Sequence, residues 1–285
     1  MPGLATIQQE EQLPVFRIEP TARGVRVDFR ELWAYRELLY FFVWRDVKVR
    51  YKQTVIGAAW AIIQPVMTMV VFSIFFGGLA KIPSDGLPYP IFFYSALLPW
   101  NYFAQALTST TNSMVENQRL ITKVYFPRLI LPLAAVTTGL VDFAVAFSVL
   151  IGMFVWYGIM PTPAVLLLPL LLMLTVVTAL GVGLWLAALN ALYRDVRFVV
   201  PFCIQLWMFA SPVVYPTSLV PSEWQWLYGL NPMVGVISGF RWALTGSGSP
   251  PSPLLAVASA IGMVVILVTG LRYFQRAEET VVDTM

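Results

Sequence analysis

Arg30–Gln64 reads RELWAYRELLYFFVWRDVKVRYKQTVIGAAWAIIQ, and its two halves decide the fold. The first half is charged and aromatic, too polar to cross a bilayer. The second opens a long uncharged run that can cross one. At 100° per residue, Leu32, Tyr35, Leu39, Phe42 and Val43 share one helical face, while Arg30, Glu37, Arg45, Lys48 and Lys52 share the opposite one. That pattern predicts a helix lying in the membrane interface, with its basic side (Arg45, Lys48, Lys52) toward water and Arg50 in line with the apolar face at its far end. Asp28 followed by Glu31 gives it a capped start. Asp46 and Arg50 are spaced to pair at its far end, acid first. The apolar contact then ends near Val47, and the chain turns into the membrane.

The whole composition agrees. Of 285 residues, 58% are hydrophobic and 12% charged, about half the charge of an ordinary soluble domain. This is an all-α, polytopic membrane protein. Histidine is absent, which excludes histidine ligands and histidine general bases. The lone Cys203 excludes an intrachain disulfide and any multi-cysteine metal site. The acidic, polar start (MPGLATIQQEEQLPVF) does not read as a secretory signal.

In chain order, residues 1–28 read as a cytoplasmic tail and 29–52 as the interface helix. A six-span domain covers 53–272, and 273–285 form a cytoplasmic tail. The first span lies within 53–80 and is kinked by Pro65. The second, about 90–112, is interrupted at Pro99-Trp100. Glu116–Arg128 (ENQRLITKVYFPR) is a polar segment, with Leu120, Ile121 and Val124 at helical spacing, that predicts a two-turn helix stopped by Pro127. Leu129–Tyr193 holds two spans around the turn Pro161-Thr162-Pro163, with Asp142 as its single charge. The fifth span runs over about 198–214 and the sixth over about 253–271. With the N-terminus inside, sixteen of the eighteen Lys and Arg fall on inner segments, leaving Lys81 and Arg241 outside. A seventh span at 216–250 would carry Arg272 and Arg276 outside. That stretch therefore predicts a re-entrant pair of short helices broken at Asn231-Pro232. Trp224, Trp226 and Tyr228 would sit at headgroup level. Arg241 would snorkel outward or meet an anionic part of the substrate.

The search for chemistry is mostly negative. No phosphate-cradling loop is present, so the chain does not hydrolyse nucleotide by itself, and no catalytic or metal-ligating set emerges. Asp142 is the intramembrane acid. It is either functional or, with Asn190 and Thr137 or Thr138 as partners, structural. Gly235 and Gly239 form a G-x-x-x-G that favours close packing. Aromatic residues make up 14% of the chain. Trp60, Phe72, Phe75 and Phe76 in span one, with Trp207, Phe209 and Tyr215 in span five, present ring faces that suit lipid packing or stacking on sugar rings.

WRDVKVRYKQTVIGAAWAIIQP (44–65), ENQRLITKVYFPR (116–128), LYRDVRFVVPF (192–202) and NPMVGVISGFRWAL (231–244) together resemble the membrane subunit of bacterial ABC-2 type polysaccharide exporters. These are the O-antigen, capsule and teichoic acid permeases, and the likeness covers nearly everything after residue 28. It implies a homodimer in the inner membrane with two copies of a separate P-loop ATPase, which binds ATP and Mg. Both termini would be cytoplasmic. This chain would bind no cofactor and no nucleic acid. Glu116, Arg119, Leu120, Lys123, Tyr125 and Arg128 would belong to the coupling helix that docks on the ATPase. The re-entrant pair (Trp224, Trp226, Tyr228, Asn231, Pro232, Arg241) would be a gate on the far side. Spans one and five would line a channel for a lipid-linked polysaccharide.

Two other classes differ from this in recognisable ways. An ion-driven secondary transporter places its sites on broken helices, often in repeated halves. No repeat of the 30–130 pattern recurs in 130–271, and one intramembrane acid is few. A membrane-embedded transferase needs a general base or an acidic cluster, and the outer segments offer only Asp85 and Glu223.

Overall fold

The computed structural model describes residues 29–52, 59–246 and 253–284. The tail, the Asp28 cap and the start of span one lie outside the described residues. What is described is helical, without a strand.

Helix α1 (Phe29–Ala34) passes through a turn at Tyr35 into α2 (Arg36–Lys52). The face expected to float on lipid is instead turned onto protein. Phe42 is buried, and Leu32, Tyr35, Leu39 and Val43 pack around the same cluster. Lys48 and Lys52 are exposed and Arg50 turns inward with the apolar face, as expected, but Arg45 turns inward too. The second half of α2 does not lie apart from the bundle. It runs beside a later helix, α6.

Helix α3 (Trp60–Phe72) continues through Pro65 into a π-helical stretch, Ser73–Leu79. There Gly77 lies so close to the Tyr89 ring that a Cβ would fall 2.7 Å from it. Helix α4 (Tyr89–Glu116) follows, starting on Pro88 and Pro90, which suit a helix's first turn. It is not interrupted at Pro99-Trp100: the helix continues through Pro99. Its 28 residues reach about 42 Å at 1.5 Å each, more than the roughly 30 Å hydrocarbon core requires.

A single turn, α5 (Gln118–Ile121), replaces the expected two-turn helix. Then α6 (Ile130–Tyr157) ends at Gly158, whose φ of 65° closes the helix in the left-handed conformation. A 3₁₀ turn at Pro163–Leu167 leads into α7 (Leu168–Leu192). Helix α8 (Val196–Phe209) is only 14 residues long, stopping short of the expected 214. After two 3₁₀ turns come α9 (Gln225–Gly229), α10 (Pro232–Thr245) and the long α11 (Pro253–Thr284).

Among the described residues, four stretches are long and apolar enough to cross a membrane: Trp60–Leu79, Ile130–Tyr157, Pro163–Leu192 and Ala256–Glu278. Helix α4 is long enough but less apolar, because it is the axis of the bundle. It packs against α3, α6, α7, α8 and α10. Two of its hydroxyl groups bond back along the helix: Thr108 to the Ala104 carbonyl and Thr111 to that of Leu107, both at 2.8 Å. The larger core gathers around its rings, including Phe93, Tyr94, Trp100, Tyr102 and Phe103. Helices α7 and α11 cross where a Cβ on Gly270 would lie 2.3 Å from the Gly181 carbonyl, so only glycine permits that approach. Gly235 and Gly239 do the same work for α10, against Ser259 and Leu171.

Candidate functional site

The candidate residues gather at opposite ends of the bundle. One end carries the junctions α4–α6 and α7–α8, with Arg119, Lys123, Arg128, Arg194 and Arg197; it is called the basic end below. Here α2 meets the polar segment that follows α4. Arg45 pairs with Asp46 at 2.8 Å and donates to the Asn117 amide oxygen at 3.1 Å. Its guanidinium lies 4.9 Å from the Phe42 ring centroid, and that ring meets Phe126 at 6.0 Å. Arg128 donates to the Glu278 carbonyl at 2.6 Å, tying the polar segment to the end of α11. Arg119, Lys123 and Tyr125 are exposed, while Leu120 is half-buried against the Phe42 cluster. The segment thus has an inner apolar edge, a fixed end at Arg128 and an outward face free to meet another protein.

Between α2, α4 and α6 lies a cavity of about 400 Å³, lined at its charged side by Arg45, Asp46, Arg50 and Glu116. Glu116 is exposed, yet the protein mass around it raises its carboxyl above the ordinary glutamate range. Nearby Asp46 adds to that rise, and Arg45 opposes it.

Asp142 stands on the inner side of this cavity, and its partners are not those expected. Asn190 bonds the Thr111 carbonyl and the Asn112 side chain; Thr137 and Thr138 bond back along α6. Asp142 instead takes Arg50, Tyr51 and Gln105. The i,i+4 pair expected between Asp46 and Arg50 is replaced by two others, Arg45–Asp46 and Arg50–Asp142. Arg50 can reach a carboxylate deeper in the bundle, where a bare charge is least tolerable.

At the far end, α8 stops and the chain breaks before α9. Arg241 is 5% exposed and does not snorkel. It donates to the carbonyls of Pro212, Val213 and Phe92, and its guanidinium lies 3.7 Å from the Phe92 ring centroid. The first two carbonyls belong to the non-helical stretch just after α8 ends at Phe209. The break at Asn231-Pro232 is where the sequence puts it. The Asn231 side chain caps α10 by accepting from the Met233 N–H at 3.1 Å, and also receives the Trp207 indole N–H at 3.0 Å. Trp224 and Trp226 are exposed; Tyr228 is half-buried and donates to the Tyr215 hydroxyl at 3.0 Å.

The aromatic side chains considered for a passage divide in two. Phe72 stacks on Phe76 and on Phe93 of α4, and Trp207 meets Phe103 edge-on. These belong to internal packing. Trp60 of α3 and Phe75 of its π extension are 54% and 56% exposed, left bare by the described residues. Phe198, Phe202 and Phe209 leave α8 similarly bare.

Sequence reasoning missed Asn117, Gln105 and Tyr51. Gln105 could have been noticed as an amide inside a membrane helix, a group that must find a partner there. Tyr51 and Asn117 carried no such signal.

Residues 37–245 match the ABC-2 type transporter membrane family. The O-antigen export system permease protein RfbA of Myxococcus xanthus is 30% identical over 253 residues, covering 88% of this chain and 96% of that protein. An O-antigen export system permease RfbA of Klebsiella pneumoniae is 26% identical, covering 84% and 92%. The polysialic acid transport protein KpsM of Escherichia coli is 22% identical, covering 84% and 93%. With its apolar spans and a match over most of its length, the chain belongs to the ABC-2 type transporter family of membrane transport subunits.

Proposed function

We propose that this chain is the permease subunit of an ATP-driven exporter that moves a lipid-linked polysaccharide out across the bacterial inner membrane. It works as a homodimer with two copies of a separate P-loop ATPase. Six spans cross with both termini in the cytoplasm: α3 with its π extension, α4, α6, α7, α8 with the residues after it, and α11. The basic end is then cytoplasmic, as the distribution of Lys and Arg requires.

One observation carries the reading. The exposed face Arg119–Tyr125 is joined through Arg45–Asn117 and Arg128–Glu278 to α2 and α11. A protein docking there can push on helices and not merely on a loop. The names of the relatives supply the substrate class. The bare faces of α3 and α8 suit contact with a second copy and a passage between the two. The segments at 217–245 form the gate on the outer side, with Arg241 inside it as a structural support. Asp142 is held by Arg50, Tyr51 and Gln105, a packing role that an ion-driven transporter does not need.

The test is co-purification. Chain alone in lipid nanodiscs should show no ATP hydrolysis, and chain expressed with a P-loop ATPase encoded beside it should co-purify as a two-plus-two complex that hydrolyses ATP. A monodisperse monomer, or hydrolysis by the isolated chain at the rate of a complex, would refute it.

A further inference from the structure

The structure assigns Asp142 the role of a clamp that fixes the C-terminal end of α2 to the bundle, and its release frees α2 to act as a lever on α3. The lever's purpose rests on the exporter reading; the clamp itself does not.

The geometry comes first. Donors from separate elements converge on one carboxylate: Arg50 and Tyr51 from α2, and Gln105 from α4. Asp142 lies about 18 Å along α6 from its start at Ile130, at 1.5 Å per residue. The end of α2 has therefore been drawn well into the bundle. An acid at that depth requires a partner, and so does the arginine that reaches it. Neither has another salt-bridge partner among the described residues.

The surroundings make the contact releasable. The 400 Å³ cavity beside it separates α2 from α4 and α6 over part of their length. Its opposite wall is mostly small or hydroxylated, with Ser109, Ser113, Ala134, Ala135 and Thr138 beside Leu131. Water entering would find polar partners there. Arg50 is 34% exposed and Asp142 13%, so the chain itself covers the pair only in part. Breaking it costs far less than breaking a dry pair.

The connections make the release consequential. Arg45 ties the same helix to Asn117, directly before the exposed docking face. Two residues after Arg50, α2 ends at Lys52, and the chain resumes as α3 from Trp60. Force applied at the docking face reaches α2 at Arg45, and α3 beyond Lys52. Asp142 decides whether α2 moves with α6 or apart from it. It is a positioning residue, acting through α2 on the span that follows.

The experiment uses the full chain with its ATPase in inverted membrane vesicles. Cys203→Ser removes the native thiol, and Ser113→Cys places a probe on the cavity wall, where the serine is 4% exposed. An impermeant maleimide then reports opening. Asp142→Asn and, independently, Arg50→Gln should each speed labelling several-fold without nucleotide. The reversed pair, Arg50→Asp with Asp142→Arg, should restore slow labelling, because the Tyr51 hydroxyl and Gln105 amide can accept as well as donate. Unchanged labelling in both single variants would overturn the clamp. So would faster labelling that the reversed pair fails to restore, since that pattern means general loosening. Failure of the exporter reading would look different: the reversal pattern would stand, but nucleotide would not alter labelling of the unmodified pair.

Discussion

Arg50 and Arg241 are both arginines drawn into a membrane bundle, and they are satisfied in opposite ways. Arg50 meets a carboxylate, beside a cavity and with a third of its side chain uncovered by the chain. Arg241 meets backbone carbonyls and a ring face, shut off from water and without a salt bridge among the described residues. The first arrangement holds two helices together and can be exchanged for water. The second braces the chain beyond a helix: it supplies donors to the carbonyls of Pro212 and Val213, in the non-helical stretch after α8 ends at Phe209. One end of the molecule is thus tied by a contact that can open, and the other by a contact that cannot open without unfolding.

The largest effect that would break this contrast is at Arg241. Arg241→Met keeps the volume but leaves buried carbonyls without a donor, and should lower unfolding stability by about 3 kcal/mol. Arg241→Lys should recover little of it, since a point charge cannot span separate carbonyls over a ring. Thermal unfolding in detergent measures both; a melting temperature equal to the wild type in either would mean that Arg241 supports nothing.

Asn231→Ala comes next. It removes the cap of α10 and the acceptor of the Trp207 indole, and should cost about 1–2 kcal/mol. Asp142→Asn should cost roughly 1 kcal/mol, because the pair is partly solvated and the amide still hydrogen-bonds. If it cost as much as Arg241→Met, the two ends would not differ in kind.

Glu116 gives a smaller, pH-dependent effect. Its pKa is raised in the folded state, so the folded chain favours the protonated acid. The wild type therefore loses stability relative to Glu116→Gln as pH rises from the ordinary glutamate pKa toward the raised one. The variant should melt slightly higher at about pH 7, and equally at about pH 4. A variant that melts lower at neutral pH would show that the charge is welcomed there. The smallest stability effect is expected for Arg119→Glu with Lys123→Glu, within about 0.5 kcal/mol, because both side chains are exposed. The same double variant should nevertheless uncouple ATP hydrolysis from export.

The contrast also explains what was legible in the chain. Helix ends written in backbone chemistry could be read: Asn231-Pro232 marks a cap and a forced first turn, and proline and glycine near 158–163 mark the α6–α7 turn. The exposed side chains of Arg119, Lys123 and Tyr125 were legible as polarity between spans. Burial was not. The segment Tyr89–Glu116 reads as one span among several, yet it is the axis. Its modest hydropathy was the available sign, since a helix surrounded by protein need not be as apolar as one facing lipid. Long-range pairs were equally hidden. Local spacing offers Asp46 to Arg50, whereas the actual partner lies on another helix. Arg241 reads as a surface anchor because it is the one cation of an outward loop, and only the fold shows that it points into backbone carbonyls.

The central claim is that ATP hydrolysed by a partner docked at Glu116–Arg128 drives a glycan through paired copies of this chain. The most direct measurement reconstitutes the chain and its ATPase in inside-out proteoliposomes with a lipid-linked polysaccharide, and follows protection of the glycan from an external glycosidase. Protection should appear only with ATP, be indifferent to an uncoupler, and be lost in the Arg119→Glu, Lys123→Glu variant. Protection that arises without ATP and collapses with the uncoupler would contradict the account.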